Sequence, residues 1–253
     1  MCTLLLAWQV FADAPVVVAA NRDELLDRPA APPERLEDDP QVVAPRDLEA
    51  DGTWLGFNEH GVFVAITNRW VDLEGDRSRG LLVREALRHR SAEDAARYVE
   101  REVKKHDYAG FNLVLADEAA AVYVEWDGAL AVRNFEPGVH VVVNVGADGD
   151  FVIPAARMEA GESQAHDARR TADVLVPNPG ETADEWLDRA AAVASDHEYG
   201  ACVHEEERNF GTRSSTLLAL YSDGTARHEF ADGPPCQVDY QLAPVIARDE
   251  KQL

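Results

Sequence analysis

Cys2 is the residue whose type and place carry the plainest chemistry. Removing Met1 leaves one residue with both a thiol and a free α-amine, and the small side chain at position 2 permits that removal. Their ordinary pKa values, about 8.5 and about 7.7 to 8.0, let the amine act as base toward its own nucleophile near neutrality. The same residue also reads as the start of a buried strand, because free cysteine packs as a small hydrophobe. Further along, Asn21, Arg22, Asp23 and Glu24 are four consecutive hydrogen-bonding side chains after the apolar run Val16 to Ala20. An arginine and carboxylates there can orient a nucleophile and grip a substrate carboxylate through a bidentate fork, or form an ion pair that closes the loop. Asn68 and Asn144 each end an apolar run, where an amide N–H suits an oxyanion and an asparagine equally suits a turn. Thr212, Arg213 and Ser214, in Gly211-Thr212-Arg213-Ser214-Ser215-Thr216, offer a guanidinium beside hydroxyls; with no lysine and a strand following, this is no phosphate loop. His197 and the pair Cys202 and His204 lack a further ligand at helical spacing, so no metal site is expected.

Short strands must position these groups. The pattern predicts Thr3 to Phe11 and Val16 to Ala20 as a hairpin, a Pro-rich acidic loop from Pro29 to Pro45, and a second hairpin from Trp54–Phe57 and Val62–Thr67. The period then lengthens, predicting helices from Gly80 to Arg90 and from the Ser91 cap to about Lys105. Strands at Phe111–Ala116, Ala121–Trp126, Leu130–Asn134 and Val139–Asn144 follow, then helices from Ala155 to Val174 and from the Thr182 capping box to about Ser195. Strands at Ala201–His204, Ser214–Tyr221 and Thr225–Phe230 close the pattern. Runs of strands separated by paired helices predict an α+β chain of antiparallel sheets covered by helices, as one domain over residues 1–253 with an acidic tail from about 231.

Composition removes several function classes. With 253 residues, 46% of them hydrophobic, the chain can bury a sizeable core. A net charge of −23 makes nucleic acid and anionic membrane surfaces poor partners, since phosphate neutralisation needs clustered cations. Lys104, Lys105 and Lys251 are the only lysines, and abundant carboxylates with so little lysine resemble a halophilic, salt-adapted cytoplasmic protein. Three widely spaced cysteines fit a reducing cytoplasm, and neither an export signal nor a membrane insertion segment is expected.

The chain resembles the NRDE family, also called the transport and Golgi organization protein 2 family. The resemblance rests on Met1-Cys2-Thr3-Leu4, Ala19 through Glu24 with Arg28-Pro29, Gly52-Thr53-Trp54-Leu55-Gly56, Ala65-Ile66-Thr67-Asn68, Gly110-Phe111-Asn112-Leu113 and Gly211 through Thr216. It implies a four-layer αββα fold similar to the cysteine N-terminal nucleophile hydrolases, and a match running to about residue 230. In the related choloylglycine and penicillin V acylases the N-terminal cysteine is followed by an arginine and an aspartate, two asparagines and an arginine. Cys2, Arg22, Asp23, Asn68, Asn144 and Arg213 fall in a similar order and are the expected catalytic set. Those acylases separate their arginine and aspartate by two residues, whereas Arg22 and Asp23 are adjacent and Asn21 and Glu24 have that separation.

Two readings follow. In the first, Cys2 attacks the amide of a small amide or acyl compound, with Asn21, Glu24, Trp54, Thr212 and Ser214 binding substrate, and its sulfur lies within reach of the Asp23 or Asn21 side chain. No cofactor is required. In the second, the cleft between sheets carries haem or an acyl lipid without chemistry, lined by Trp54, Phe57, Phe63 and Trp70. Oligomeric state is not encoded in any of these features.

Overall fold

The computed structural model describes residues 2–246. Met1 and the end of the acidic tail, residues 247–253 with Lys251, lie outside the described residues. In chain order the strands and helices are β1 (Thr3–Trp8), β2 (Val16–Leu25), β3 (Ala30–Asp38), β4 (Gln41–Asp47), β5 (Leu55–Asn58), β6 (Phe63–Asn68), α1 (Arg79–Ala86) and α2 (Ala92–Glu102). They continue as β7 (Phe111–Ala116), β8 (Ala121–Trp126), β9 (Leu130–Asn134), β10 (Gly138–Val143), β11 (Gly146–Ala147), β12 (Asp150–Phe151), α3 (Met158–Val174) and α4 (Ala183–Ser195). Last come β13 (His204–Glu205), β14 (Phe210–Leu220), β15 (Ala226–Ala231) and β16 (Gln241–Leu242).

Two antiparallel sheets result. One runs β12-β11-β10-β1-β2-β14-β15-β16, with β13 on β14; the other runs β3 to β9 in sequence order. Strand alternation sorts their side chains into layers. Leu4, Leu6, Val18, Ala20 and Leu218 meet Phe57, Phe63, Val114 and Tyr123 of the second sheet in a core between the sheets. Leu5, Ala7, Val17, Ala19 and Val143 face the other way, onto Ala165, Trp186, Leu187 and Ala190 of α3 and α4. The second sheet's outer face packs on α1 and α2 through Val64, Leu82, Val83, Val99 and Leu113. This is the four-layer αββα sandwich. Burial on both faces explains why β1 and β2 read as continuous apolar runs rather than alternating ones. The capping box at α4 forms as its sequence predicts: Glu185 N–H donates to Thr182 Oγ1 at 3.3 Å, and Thr182 N–H donates to Glu185 Oε2 at 2.9 Å.

Several boundaries differ from the sequence reading: β1 ends at Trp8 rather than Phe11, α1 at Ala86 rather than Arg90, and three further differences bear on the site. The Pro-rich stretch is no loop but the hairpin β3–β4, because β3 is an edge strand and its register shifts between Ala31 and Glu34, where edge position and bulge accommodate Pro32 and Pro33. β2 continues through Asn21-Arg22-Asp23-Glu24 to Leu25, paired with a β14 that begins at Phe210. Ala201 to His204 contributes only the two-residue strand β13.

Candidate active site

Cys2 directly precedes β1, and Asn144 directly follows its neighbour β10. Extending the register Leu4↔Val142 by two pairs sets the two opposite each other. The Cys2 N–H donates to Asn144 Oδ1 at 3.1 Å. That oxygen also accepts from Gln164 Nε2 of α3 at 3.0 Å, and Asn144 Nδ2 donates to the Asn68 carbonyl at 2.6 Å. Both ends of the amide are engaged, so Asn144 positions the Cys2 nitrogen, and the second N–H of its Nδ2 is the one that could serve an oxyanion. Asn68 takes part through its main chain, its side chain being exposed. From the second sheet Asn112 Nδ2 donates to the Val143 carbonyl at 2.9 Å and to Thr67 Oγ1 at 3.2 Å, which ties the end of β10 across the sandwich.

On β2 the tetrapeptide divides by alternation. Arg22 shares the inter-sheet face with Val18 and Ala20, while Asn21 and Asp23 share the helix face with Val17 and Ala19. Asn21 Nδ2 donates to the carbonyls of Ala194 and Ala201, both at 2.8 Å, and so anchors the end of α4 rather than facing Cys2. Asp23 Oδ1 accepts from the Thr212 hydroxyl at 2.6 Å. Burial pushes the Asp23 carboxyl up to about 6, against the pull of the Thr212 hydrogen bond and of positive charge that includes Arg22. The Cys2 sulfur reaches not the Asp23 or Asn21 side chain but the Asp23 carbonyl, 3.8 Å away. Burial raises the thiol's pKa, with Arg22 among the charges opposing it.

Arg22 is 6% exposed. Its guanidinium lies 4.3 Å over the Trp54 ring, with Nη2 3.8 Å from Glu24 and 4.0 Å from Asp47. Burial lowers its pKa. Its Nη1 is buried and has no hydrogen-bond partner among the described residues. Ser214 pairs with Arg22 across β2 and β14, and its buried Oγ is likewise without a partner. Arg213 occupies the bulge between Thr212 and Ser214, with its buried Nε unpartnered among the described residues. Asn144, Cys2, Arg22 and Ser214 thus stand at one level across four adjacent strands, β10, β1, β2 and β14.

The sequence reading missed Arg79, Gln164, Asn112 and Asp47. Arg79 opens α1, donates to the Gly110 carbonyl at 2.7 Å, and is close enough for the Cys2 charge to act on its pKa, which burial lowers. One signal was present: a cation in the first turn of a helix opposes the macrodipole, so Arg79 answers to something other than helix stability. The approach of that helix depends on Gly52, where a Cβ would fall 2.3 Å from the Gly80 carbonyl carbon. Thr53 N–H donates to the Gly80 carbonyl at 3.0 Å, so the segment carrying Trp54 packs against the start of α1.

The aromatics do not form one lining. Phe57 and Phe63 lie in the inter-sheet core, whereas Trp70 packs on the helix side with the Arg157 guanidinium 5.0 Å from its ring. Behind Asn144, on the helix face, Thr3 and Gln164 line a cavity of about 490 Å³ with Ser163, Tyr199 and Cys202. Among the described residues the group of three or more ligating side chains able to hold a metal is not at Cys2 but at His197, His204 and Cys236.

Comparison with known proteins adds three findings. A family model described as Transport and Golgi organisation 2 matches residues 1–230. The Transport and Golgi organization protein 2 homolog of Bos taurus is 35% identical over 111 residues, covering 42% of this chain and 40% of that protein, and the Homo sapiens homolog is 33% identical over 113 residues. The chain therefore spans about two fifths of the length of the curated relatives it matches. Among solved structures, the Caenorhabditis elegans N-acylethanolamine-hydrolyzing acid amidase ortholog superposes with TM-score 0.58 at 13% identity over 86% of this chain and 92% of the other. The C2A mutant of the conjugated bile acid hydrolase from Clostridium perfringens gives 0.54 at 12% identity over 96% and 92%. At such identities the likeness is one of fold.

Proposed function

The chain belongs to the Transport and Golgi organisation 2 family, and on that premise we propose that it is a cysteine N-terminal nucleophile hydrolase acting on a small amide or acyl compound. The observation that carries this reading is the row Asn144, Cys2, Arg22 and Ser214 across four strands, with the Cys2 nitrogen held by a side chain that is itself held. A cysteine serving only as core filler has no use for a fixed main-chain nitrogen or for a buried guanidinium whose Nη1 has no partner among the described residues. The two fold relatives are, by their titles, an ortholog of an N-acylethanolamine-hydrolyzing acid amidase and a mutant of a conjugated bile acid hydrolase.

Once Met1 is removed, the Asn144 oxygen accepts a hydrogen bond from the Cys2 α-amine and leaves its lone pair free. The buried thiol keeps its proton at rest, because burial disfavours the thiolate. As the sulfur attacks the amide carbonyl, the thiol proton passes to the amine and the carbonyl electron pair moves to oxygen. Ser214 Oγ and Arg22 Nη1, two donors on the shared face with no partner among the described residues, receive that oxyanion. Collapse breaks the carbon–nitrogen bond, the ammonium returns its proton to the leaving amine, and water then cleaves the thioester with the amine as base. Arg213 and Arg79 add positive charge toward an acyl carboxylate or headgroup.

Intact mass of the purified protein, followed by hydrolysis of a panel of N-acyl amides, tests this. Loss of Met1 and an amidase activity abolished by Cys2→Ser are expected. A retained Met1, or an activity indifferent to Cys2→Ser, overturns it.

A further inference from the structure

We propose that Cys202, Cys236, His204 and His197 form a tetrahedral site for a zinc-class divalent cation, closing the last third of the chain on itself. The sequence alone disfavours a metal here, because the ligands come from three separated segments: the turn after α4, the approach to β13, and the turn after β15. Folding brings them together. The Cys202 and Cys236 sulfurs are 3.4 Å apart, and His204 Nε2 lies 3.1 Å from the Cys236 sulfur and 3.7 Å from the Cys202 sulfur. The ligating atoms of His197, His204 and Cys236 all fall within 4.8 Å of one another.

The three separations among Cys202, Cys236 and His204 are close to three edges of a small tetrahedron, and an ion bound there would draw His197 in to complete it. Bonds of about 2.3 Å to sulfur and about 2.0 to 2.1 Å to nitrogen give edges of roughly 3.8 Å between sulfurs and roughly 3.6 Å between sulfur and nitrogen. A second feature points to a ligand independently. His197 Nδ1 is 3.0 Å from the Cys202 carbonyl, the outer hydrogen bond that fixes a metal-binding imidazole's tautomer and leaves Nε2 as the ligating atom. Two thiolates and two imidazoles also form a closed soft set with no position left for substrate, which marks a structural rather than a catalytic ion.

The placement gives such an ion a purpose. Val203 follows Cys202 and is joined to Thr212 in both directions, by Thr212 N–H to the Val203 carbonyl and by Val203 N–H to Thr212 Oγ1, each at 2.9 Å. Thr212 in turn holds Asp23. Metal at Cys202 therefore braces the strand pair behind Cys2 and pins the Pro234–Cys236 turn to the body of the sandwich.

Chelator-treated, reduced full-length protein is titrated with cobalt(II) and then zinc(II), followed by absorbance and by limited proteolysis. One equivalent of cobalt should bind, give thiolate charge-transfer and tetrahedral d–d bands that zinc removes, and protect the chain after Ala231 from cleavage. Cys202→Ser and Cys236→Ser should abolish the bands, His204→Ala should weaken binding roughly tenfold or more, and Cys2→Ala should leave them intact. Cys236 is exposed, so Cys236→Ser should melt like metal-free wild type, which separates lost ligation from lost fold. Absence of tetrahedral bands from the reduced wild type, their survival in Cys236→Ser, or a Cys202–Cys236 disulfide with no metal affinity after reduction overturns the proposal.

Discussion

Replacing Asp23 by asparagine isolates the electrostatic cost of the buried carboxyl behind the candidate nucleophile. Burial raises its pKa from 3.8 to about 6 in the folded protein, a difference of roughly two units at about 1.4 kcal/mol each. The native state thus prefers the protonated acid. The associated stability is fully present below about pH 3.8 and is lost as the pH rises through about 6. Asparagine mimics the protonated acid without titrating, so wild type should lose at most about 3 kcal/mol relative to Asp23→Asn between pH 4 and pH 7. Urea unfolding of both proteins at pH steps from 4 to 8 gives that difference directly, and the other carboxylates, common to both, cancel. A difference that stays flat, or that grows in favour of wild type as the pH rises, refutes the reasoning, for it would mean that the surrounding charges and Thr212 hold Asp23 as an ion at no net cost.

Asn144→Ala removes the acceptor shared by the Cys2 nitrogen and Gln164 and should cost about 1 to 3 kcal/mol in a chemical melt. Any amidase rate should fall on the order of a hundredfold, and an unchanged rate would deny Asn144 a positioning role. Arg22→Leu takes a positive charge from beside the thiol, so alkylation of Cys2 by iodoacetamide at neutral pH, followed by peptide mass, should slow by roughly tenfold per unit of raised pKa. Gly52→Ala drives a methyl into the Gly80 main chain and should destabilise by about 1 to 3 kcal/mol while changing Trp54 fluorescence; a silent variant would show that the segment and α1 part freely. Because the net charge is −23, the melting temperature should rise between low and molar salt, and a flat response would remove the salt-adapted reading.

Period and punctuation made much of the fold legible. The strand runs, both helix pairs and the Thr182 capping box follow from local pattern, as does the stacking of two sheets between helical layers, which the family resemblance also implies. Long-range consequences were harder to read. The tetrapeptide at Asn21 to Glu24 looked like four groups at one mouth, yet inside a strand the period of two sends Arg22 to the inter-sheet face and Asn21 and Asp23 to the helices. Pro32 and Pro33 signalled a loop because edge position, which accommodates them, is a property of the sheet. Arg79 and Gln164 sit in helices distant in sequence from Cys2 and become neighbours of its site only when the layers close. Cys236 stands 32 residues beyond His204, a separation that no ligand-spacing pattern covers.

Cys2 enters the sandwich at an interior position of its sheet, with β10 on one side and β2 on the other. Any polypeptide fused upstream of it is joined to the nitrogen that Asn144 holds. An affinity tag or reporter at that end would cap the amine, whereas a fusion at the carboxyl end leaves it free. Expression vectors for this protein should therefore carry their purification handle downstream, and an inactive amino-terminal fusion should be cleaved back to Cys2 before the protein is judged inert.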